Sequence, residues 1–331
     1  MATLKTSVPS LVFPYELDNI SIKQTDKDNV RVTLEIGGSV VFDNTLYFDK
    51  EGFVNIFQVA DILRTYTTRD AQAVRILLDG VAAATTTCIP CNIRMDRTAE
   101  DFCSNRFLSL GWCVFAPKDG RVYLSFYSDG TTENVKVVNL VNGLEKVVFK
   151  QATYNKKGIV SFYLDMKEIY SGERRVLTTT VTAGVREVTI YPLFLENEFP
   201  EMVVFENAFN QLETFTFAKV TRKTQPKFET ALICGFFRNI RVHREHEYKC
   251  FTPSLPRNYW NIFEDLAQSI AVYQYPSMRP VVTTGVDFSK TTDFYEQRRG
   301  SITFRDSDGV PFYMVRREPQ TFDATFDSTF K

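Results

Sequence analysis

Only two histidines, His243 and His246, and two tryptophans occur in the 331 residues of this chain. A Ser-His-Asp or Cys-His catalytic arrangement would have to use one of that pair. No G-x-G-x-x-G loop, Walker-type glycine loop or H-E-x-x-H helix is present, so the common nucleotide and zinc-hydrolase signatures are absent. Charge of either sign is not in excess: 39 Lys and Arg against 40 Asp and Glu leave a formal charge of -1. Such a balance gives no global steering toward nucleic acid or an anionic membrane. The small basic stretch "VTRKTQPK" (220–227) lacks interleaved stacking aromatics, and nucleic acid is not expected as a partner. No apolar run approaches the roughly 20 residues of a membrane helix, so no membrane association is expected. The apolar patch in "MATLKTSVPSLVFPYELDN" is shorter than a signal peptide's core, which implies synthesis in the cytoplasm without a cleaved leader.

What the chain has is phenylalanine, 29 residues, and tyrosine, 15. Both favour pleated, half-buried surfaces and interfaces. With 44% apolar and 24% charged residues, the chain can build real cores, and its length suits two or three of them. "VRVTLEIGGSVVFDNTLYFDKEGFVNIF" (30–57) alternates in short runs separated by Gly37-Gly38 and Lys50-Glu51-Gly52, the pattern of hairpins. "VADILRTY" (59–66) reads as one or two helical turns, and "AVRILL" as a strand before the Asp79-Gly80 turn.

The stretch "FDKEGFVNIF" (48–57) is echoed by "YNKKGIVSFY" (154–163). In each, a glycine is followed by an apolar pair and an alternating strand, and a short helix-like tail comes next, "VADILRTY" or "DMKEIY". The spacing predicts two related β modules, residues 1–100 and 101–180, of sandwich type. Strands are expected at 121–127 and 135–140, with Asn142-Gly143 as a strong turn. Residues 181–331 form a β-rich C-terminal region. Strands are predicted at 185–195, 212–224 and within 231–251, with one amphipathic helix in "RNYWNIFEDLAQSIAVY" (257–273). That helix would be capped by Asn258, with Phe263, Leu266 and Ile270 on one face. Pro276 to Arg299 shows little periodicity and is expected to be a loop. "GSITFRDSDGVPFYMVRR" (300–317) is expected to be a hairpin that sets Ile302 and Phe304 against Phe312 and Met314. The fold class is therefore mainly β, with tandem sandwich-like modules and one amphipathic helix.

Cys88 and Cys91 form "CIPC", the spacing of half a zinc site or of a redox pair. Cys103 and Cys113 lie ten apart, which does not supply the second half, and "AAATTTCIPCNI" reads as turn-like. Buried or unpaired thiols are the better reading, and no metal or cofactor is expected. His243 and His246 share a face on a helix but oppose each other on the strand expected here. A glycosidase needs two carboxylates facing across a cleft, and nothing singles out a pair among those between Glu245 and Asp308, adjacent Glu264 and Asp265 included. The last residues, "TFDATFDSTFK", repeat Phe322, Phe326 and Phe330 every four positions, each after a threonine. These three are candidates either to pack on the chain's own core or to dock into a neighbouring subunit.

"MVVFENAFNQLETFTF" (202–217) sets a strand, Asn-x-Phe-x-x-x-Glu-Thr and an aromatic strand in a row. Through Phe205, Asn207, Phe209, Glu213, Thr214, Phe215 and Phe217 it resembles β-rich structural, tail-associated proteins of Bacteroidetes phages and prophages, including crAss-like phages. Members of that group usually carry glycine where this chain has Asn210-Gln211. The resemblance implies a virion component of the tail or attachment region, with no catalytic residues to transfer. Its partners would be copies of itself and other structural proteins of the particle. A sugar- or surface-binding β-sandwich protein is the alternative, expected to present a platform from Tyr259, Trp260, Tyr273 or Tyr275. A hydrolase with paired carboxylates is a further one.

Overall fold

The computed structural model describes residues 2–171, 176–193, 201–233, 236–253, 255–289 and 299–307. Its first unit comprises β1 (Thr3–Leu4), β2 (Leu11–Val12), β3 (Ile20–Lys23), β4 (Asn29–Ile36), β5 (Ser39–Tyr47), β6 (Phe53–Ile56), α1 (Val59–Tyr66), β7 (Gln72–Leu78) and β8 (Val81–Cys88). A five-stranded sheet, β2-β8-β7-β4-β5, packs against a small sheet, β1-β3-β6. The alternation seen in the sequence does this: Val30, Val32, Leu34 and Ile36 point inward from β4, and Ile20, Ile22 and Val54 meet them from the other sheet.

After the helix α2 (Ala99–Asn105), a second unit follows: β9 (Cys113–Ala116), β10 (Arg121–Ser128), β11 (Glu133–Val141), β12 (Leu144–Tyr154), β13 (Gly158–Asp165), α3 (Met166–Ile169), β14 (Val176–Ala183) and β15 (Arg186–Pro192). Its order repeats the first unit strand for strand. The sheet β9-β15-β14-β11-β12 corresponds to β2-β8-β7-β4-β5, and the pair β10-β13 corresponds to β3-β6. Pairing directions agree as well. β2 with β8 and β9 with β15 are parallel, while β4 with β7 and β11 with β14 are antiparallel. The echoed glycines have a common cause: Gly52 at φ +77° and Gly158 at φ +128° each turn the chain into the short inner strand through a region that a Cβ disfavours.

The third unit holds β16 (Glu201–Glu206), β17 (Leu212–Phe217), β18 (Lys219–Ile233), β19 (Phe236–Phe251), α4 (Arg257–Gln268), β20 (Val272–Gln274), β21 (Arg279–Ser289) and β22 (Arg299–Asp306). Its sheet runs β17-β16-β20-β21-β22-β19-β18. One face is covered by α4, whose Tyr259, Ile262, Phe263 and Leu266 pack on Phe205, Phe215, Phe217, Ile302 and Phe304. No helix among the described residues is long and apolar enough to cross a membrane.

Several expectations change. "AAATTTC" is strand rather than turn: β8 pairs with β7 over its whole length and with β2 at its end. The helices α1 and α3 do not end their units, because a further hairpin follows each. The expected boundary at 180 falls inside β14, and β15 completes the second unit's sheet. The stretch 276–299 contains β21, an eleven-residue strand with a register shift between Thr283 and Gly285. That bulge breaks the alternation, and most of the strand's outer residues are exposed, so no periodic signal marks it.

The helix begins at Arg257 after Pro256 in the N-cap position, not at a cap made by Asn258. It stops at Gln268, and Ile270 is 95% exposed rather than part of the apolar face. The reason is sheet pairing: Ser269 Oγ donates to Glu206 O (2.8 Å) and Glu206 N donates to Ala271 O (3.0 Å), which turns the chain into β20. The segment 231–251 is the end of β18 plus one long strand, β19, in which His243 and His246 both lie. Ile302 and Phe304 face Cys250 and Tyr248 on one side and Val286 and Thr283 on the other. Phe312, Met314, Phe322, Phe326 and Phe330 lie outside the described residues.

Candidate functional site

The segment 205–217 is where the three units meet. β16 and β17 form a hairpin that closes from Glu206 to Leu212 across the five residues 207–211. Asn210 sits in the left-handed region at φ +54°, which asparagine tolerates better than most residues and glycine tolerates freely. Asn207 organises the loop: its Oδ1 accepts from Phe209 N (3.0 Å) and Gln211 N (3.1 Å). Its Nδ2 donates to Leu108 O and to Glu213 Oε2, both at 2.7 Å. Ser109 Oγ donates to the other oxygen of Glu213.

From this loop the contacts spread to both other units. Toward the first, Asn210 Nδ2 donates to Thr68 O (2.6 Å) and Gln211 Nε2 to Arg69 O (2.8 Å), just beyond α1. Asn92, between β8 and α2, donates through its N to Ala208 O (2.8 Å) and through Nδ2 to Asn210 Oδ1 (2.5 Å). Toward the second, Ser161 Oγ on β13 donates to Gln211 Oε1 (3.1 Å) and receives from Ser125 Oγ on β10 (2.9 Å).

β17 is an edge of its sheet, and β9 and β10 cover that edge. Thr216 Oγ1 donates to Phe115 O (2.7 Å) and Thr214 Oγ1 to Arg121 O (2.9 Å), while Tyr123 N donates back to Thr214 Oγ1 (3.3 Å). Apolar packing surrounds the polar network. Phe13 of the first unit, Phe102 of α2 and Phe209 of the third have ring centroids 5.2 to 5.8 Å apart. They lie in one core with Cys91, Cys103 and Tyr127.

A second buried polar lock fixes α2 to the second unit. Arg186 Nη1 pairs with Glu133 Oε2 at 2.5 Å, with both side chains about nine-tenths buried. Its Nε donates to Cys103 O (2.7 Å) and its Nη2 to Tyr127 O (2.9 Å), and the guanidinium lies over the Phe126 ring. Fully engaged donors of this kind are what let an arginine be buried.

The titratable groups of the joint are shifted by their surroundings. Burial pushes Glu213 up to about 8, against the lowering effect of Ser109 and Asn207, and Asp265 adds to the rise. Burial likewise raises Asp265 to about 7, partly offset by the bond from Ala208 N (2.9 Å). Asp265 borders a cavity of about 370 Å³ beside Arg97, Arg106 and Glu264. Glu264 accepts from Trp260 Nε1 (2.6 Å). Glu264 and Asp265 border that cavity as neighbours on one helix, from the same side and not across it from each other.

Cys88, Cys91, Cys103, Cys113 and Cys250 are free and buried. Burial pushes Cys88, Cys91 and Cys103 to about 12, which suppresses thiolate chemistry. No group of three or more His, Cys, Asp or Glu able to hold a metal occurs among the described residues. Of the aromatics suggested for a sugar platform, Tyr259 and Trp260 (4% exposed) are buried between α4 and the sheet, whereas Tyr273 and Tyr275 are half-buried. Sequence reasoning singled out Asn207, Glu213 and Thr214 as a pattern but missed their partners. Ser109 lies 104 residues from Glu213, and Leu108 lies 99 from Asn207.

No protein-family model matches this chain, and no curated protein matches it. Among solved structures it is similar to a chain of the virion of a native gene transfer agent particle. The identity is 9%, covering 32% of this chain and 92% of that one, with a TM-score of 0.22. A chain in the tail of the empty particle gives 9% identity, coverage of 33% and 92%, and a TM-score of 0.21. Fibronectin(III)-like modules of Clostridium thermocellum CbhA give 13% identity, coverage of 60% and 98%, and a TM-score of 0.15. With TM-scores this low, none of these likenesses extends to a shared overall fold.

Proposed function

We propose that this chain is a structural subunit of a large assembly, a component of a phage virion tail or its attachment region of the kind its 202–217 segment resembles. The single observation that supports the reading best is the joint itself. The buried carboxylates and amides around 205–217 bond to the chain's own backbone and side chains, and they hold three β units in one arrangement instead of lining a reactive cleft. Two of the units are copies of one module, with the first over 1–100 and the second from 101 through β15. The C-terminal Phe322, Phe326 and Phe330 are proposed to dock into a neighbouring subunit, and copies of this chain and other particle proteins are the partners.

The test is the native mass of the full chain by light scattering, followed by electron microscopy, beside a version ending at Gln320. A ring or particle-bound oligomer that is lost on truncation supports both the assembly and the Phe contacts. Assembly unchanged by truncation removes the Phe contacts alone. A folded monomer that joins no particle contradicts the proposal.

A further inference from the structure

The second and third units enclose an open groove of about 1020 Å³ whose lining includes Asp119, Lys219, Arg222, Tyr275 and Arg279. Arg222 is already engaged, with Nη2 3.2 Å from Glu201 Oε2, and Gln274 Nε2 also donates to Glu201 (2.5 Å). Lys219 and Arg279 are exposed and have no ion-pair partner among the described residues. The groove thus offers cationic donors that the fold does not use.

Next to it lies an aromatic cluster. β10 and β13 pair in a register that sets Arg121 opposite Asp165 and Tyr123 opposite Tyr163, all on the ribbon's outer face. The Arg121 guanidinium stacks on Tyr163 at 4.8 Å, and Tyr123 and Tyr163 have ring centroids 5.9 Å apart. Tyr163 is 41% exposed. Tyr275 joins cluster to groove: it lines the groove beside Arg121, and its hydroxyl donates to Asp119 O (3.4 Å). Arg121 is held in place by an ion pair, its Nε 3.6 Å from Asp165 Oδ2.

We propose that this groove and its tyrosine cluster bind an oligosaccharide that carries carboxylate groups. The tyrosine faces supply the apolar, flat surfaces on which pyranose C–H faces rest. Asp119 and Asp165 accept from sugar hydroxyls, while the exposed Lys219 and Arg279 receive the carboxylates. Nucleic acid fits less well, because a phosphodiester would run past Asp119, Asp165 and Glu201 in the same site. The site is independent of the assembly proposal: a monomer could bind the glycan, and an assembled subunit could lack it.

The experiment applies the labelled full-length chain to a printed array of uronic-acid and sialic-acid glycans, their neutral counterparts and an immobilised short oligothymidylate. Binding to at least one carboxylated class, about tenfold stronger than to its neutral counterpart, is expected. Tyr275→Phe should weaken it modestly, and Tyr163→Ala and Arg279→Glu by about tenfold or more. Arg279 and Tyr163 are exposed enough that these variants keep the wild-type melting temperature, which separates lost binding from lost fold. No binding to any carboxylated glycan, stronger binding to oligothymidylate, or equal binding by folded Arg279→Glu overturns the proposal.

Discussion

The first and second units share strand order and pairing directions, yet the outer faces of their inner ribbons are covered to different extents, most of all along β10. On the first unit's β3 and β6, Ser21, Lys23, Phe53 and Asn55 are half-buried or exposed, with Lys23 lying over the Phe53 ring. On the second unit's β10, only Arg121 and Tyr123 keep exposure, and the rest of the strand is buried on both faces. Ser125 and Ser161 enter the polar joint there, and Tyr127 enters the central aromatic core. One topology therefore serves once as an outlying unit and once as a hub. The difference rests on a few outward side chains, because inward residues determine the fold and outward ones determine what packs against it.

Substitutions can break that comparison, and those at the hub should cost most. Asn207→Ala removes four hydrogen bonds and strands Glu213, Leu108 O and two loop amides in a buried site. We expect a loss on the order of 4 kcal/mol, read as a lower urea midpoint. Arg186→Met leaves Glu133 as an uncompensated buried charge and should cost about 3 kcal/mol or more by the same assay. Phe209→Ala opens a cavity between Phe13 and Phe102 and should cost about 3 kcal/mol. At the outlying ribbon, Asn55→Ala should change stability by less than about 0.5 kcal/mol.

pH sharpens the contrast. The folded protein holds Glu213 at about 8 and Asp265 at about 7, above their unfolded values of 4.5 and 3.8. The folded state then binds more protons than the unfolded state between those limits. The stability that these neutral acids contribute is present in full below about pH 4 and is lost as pH rises through 7 to 8. The urea midpoint should fall between about pH 5 and 8 and level off above that, and Glu213→Gln should flatten that slope. An identical slope in wild type and variant would separate Glu213 from the effect.

Local features explain how much could be read from the chain. The echo of Gly52 in Gly158 marked the repeat because both positions need a positive φ, and Asp79-Gly80 and Asn142-Gly143 marked hairpins for the same reason. Alternation located β4, β10 and β11. β21 escaped detection because its bulge and its exposed outer residues erase the period of two. The helix was overextended to Ile270 because an apolar spacing does not register the sheet pairing that stops it. Asn207 and Glu213 stood out as residue types, but a joint assembled from Thr68, Asn92, Ser109 and Ser161 has no local signature.

Calorimetry of the full chain and of Asn207→Ala tests the central claim, that the 205–217 joint fuses the three β units into one body. The account predicts one cooperative transition for the wild type, with matching van't Hoff and calorimetric enthalpies, and separate transitions for the variant. Independent transitions already present in the wild type, and unmoved by the substitution, would contradict it.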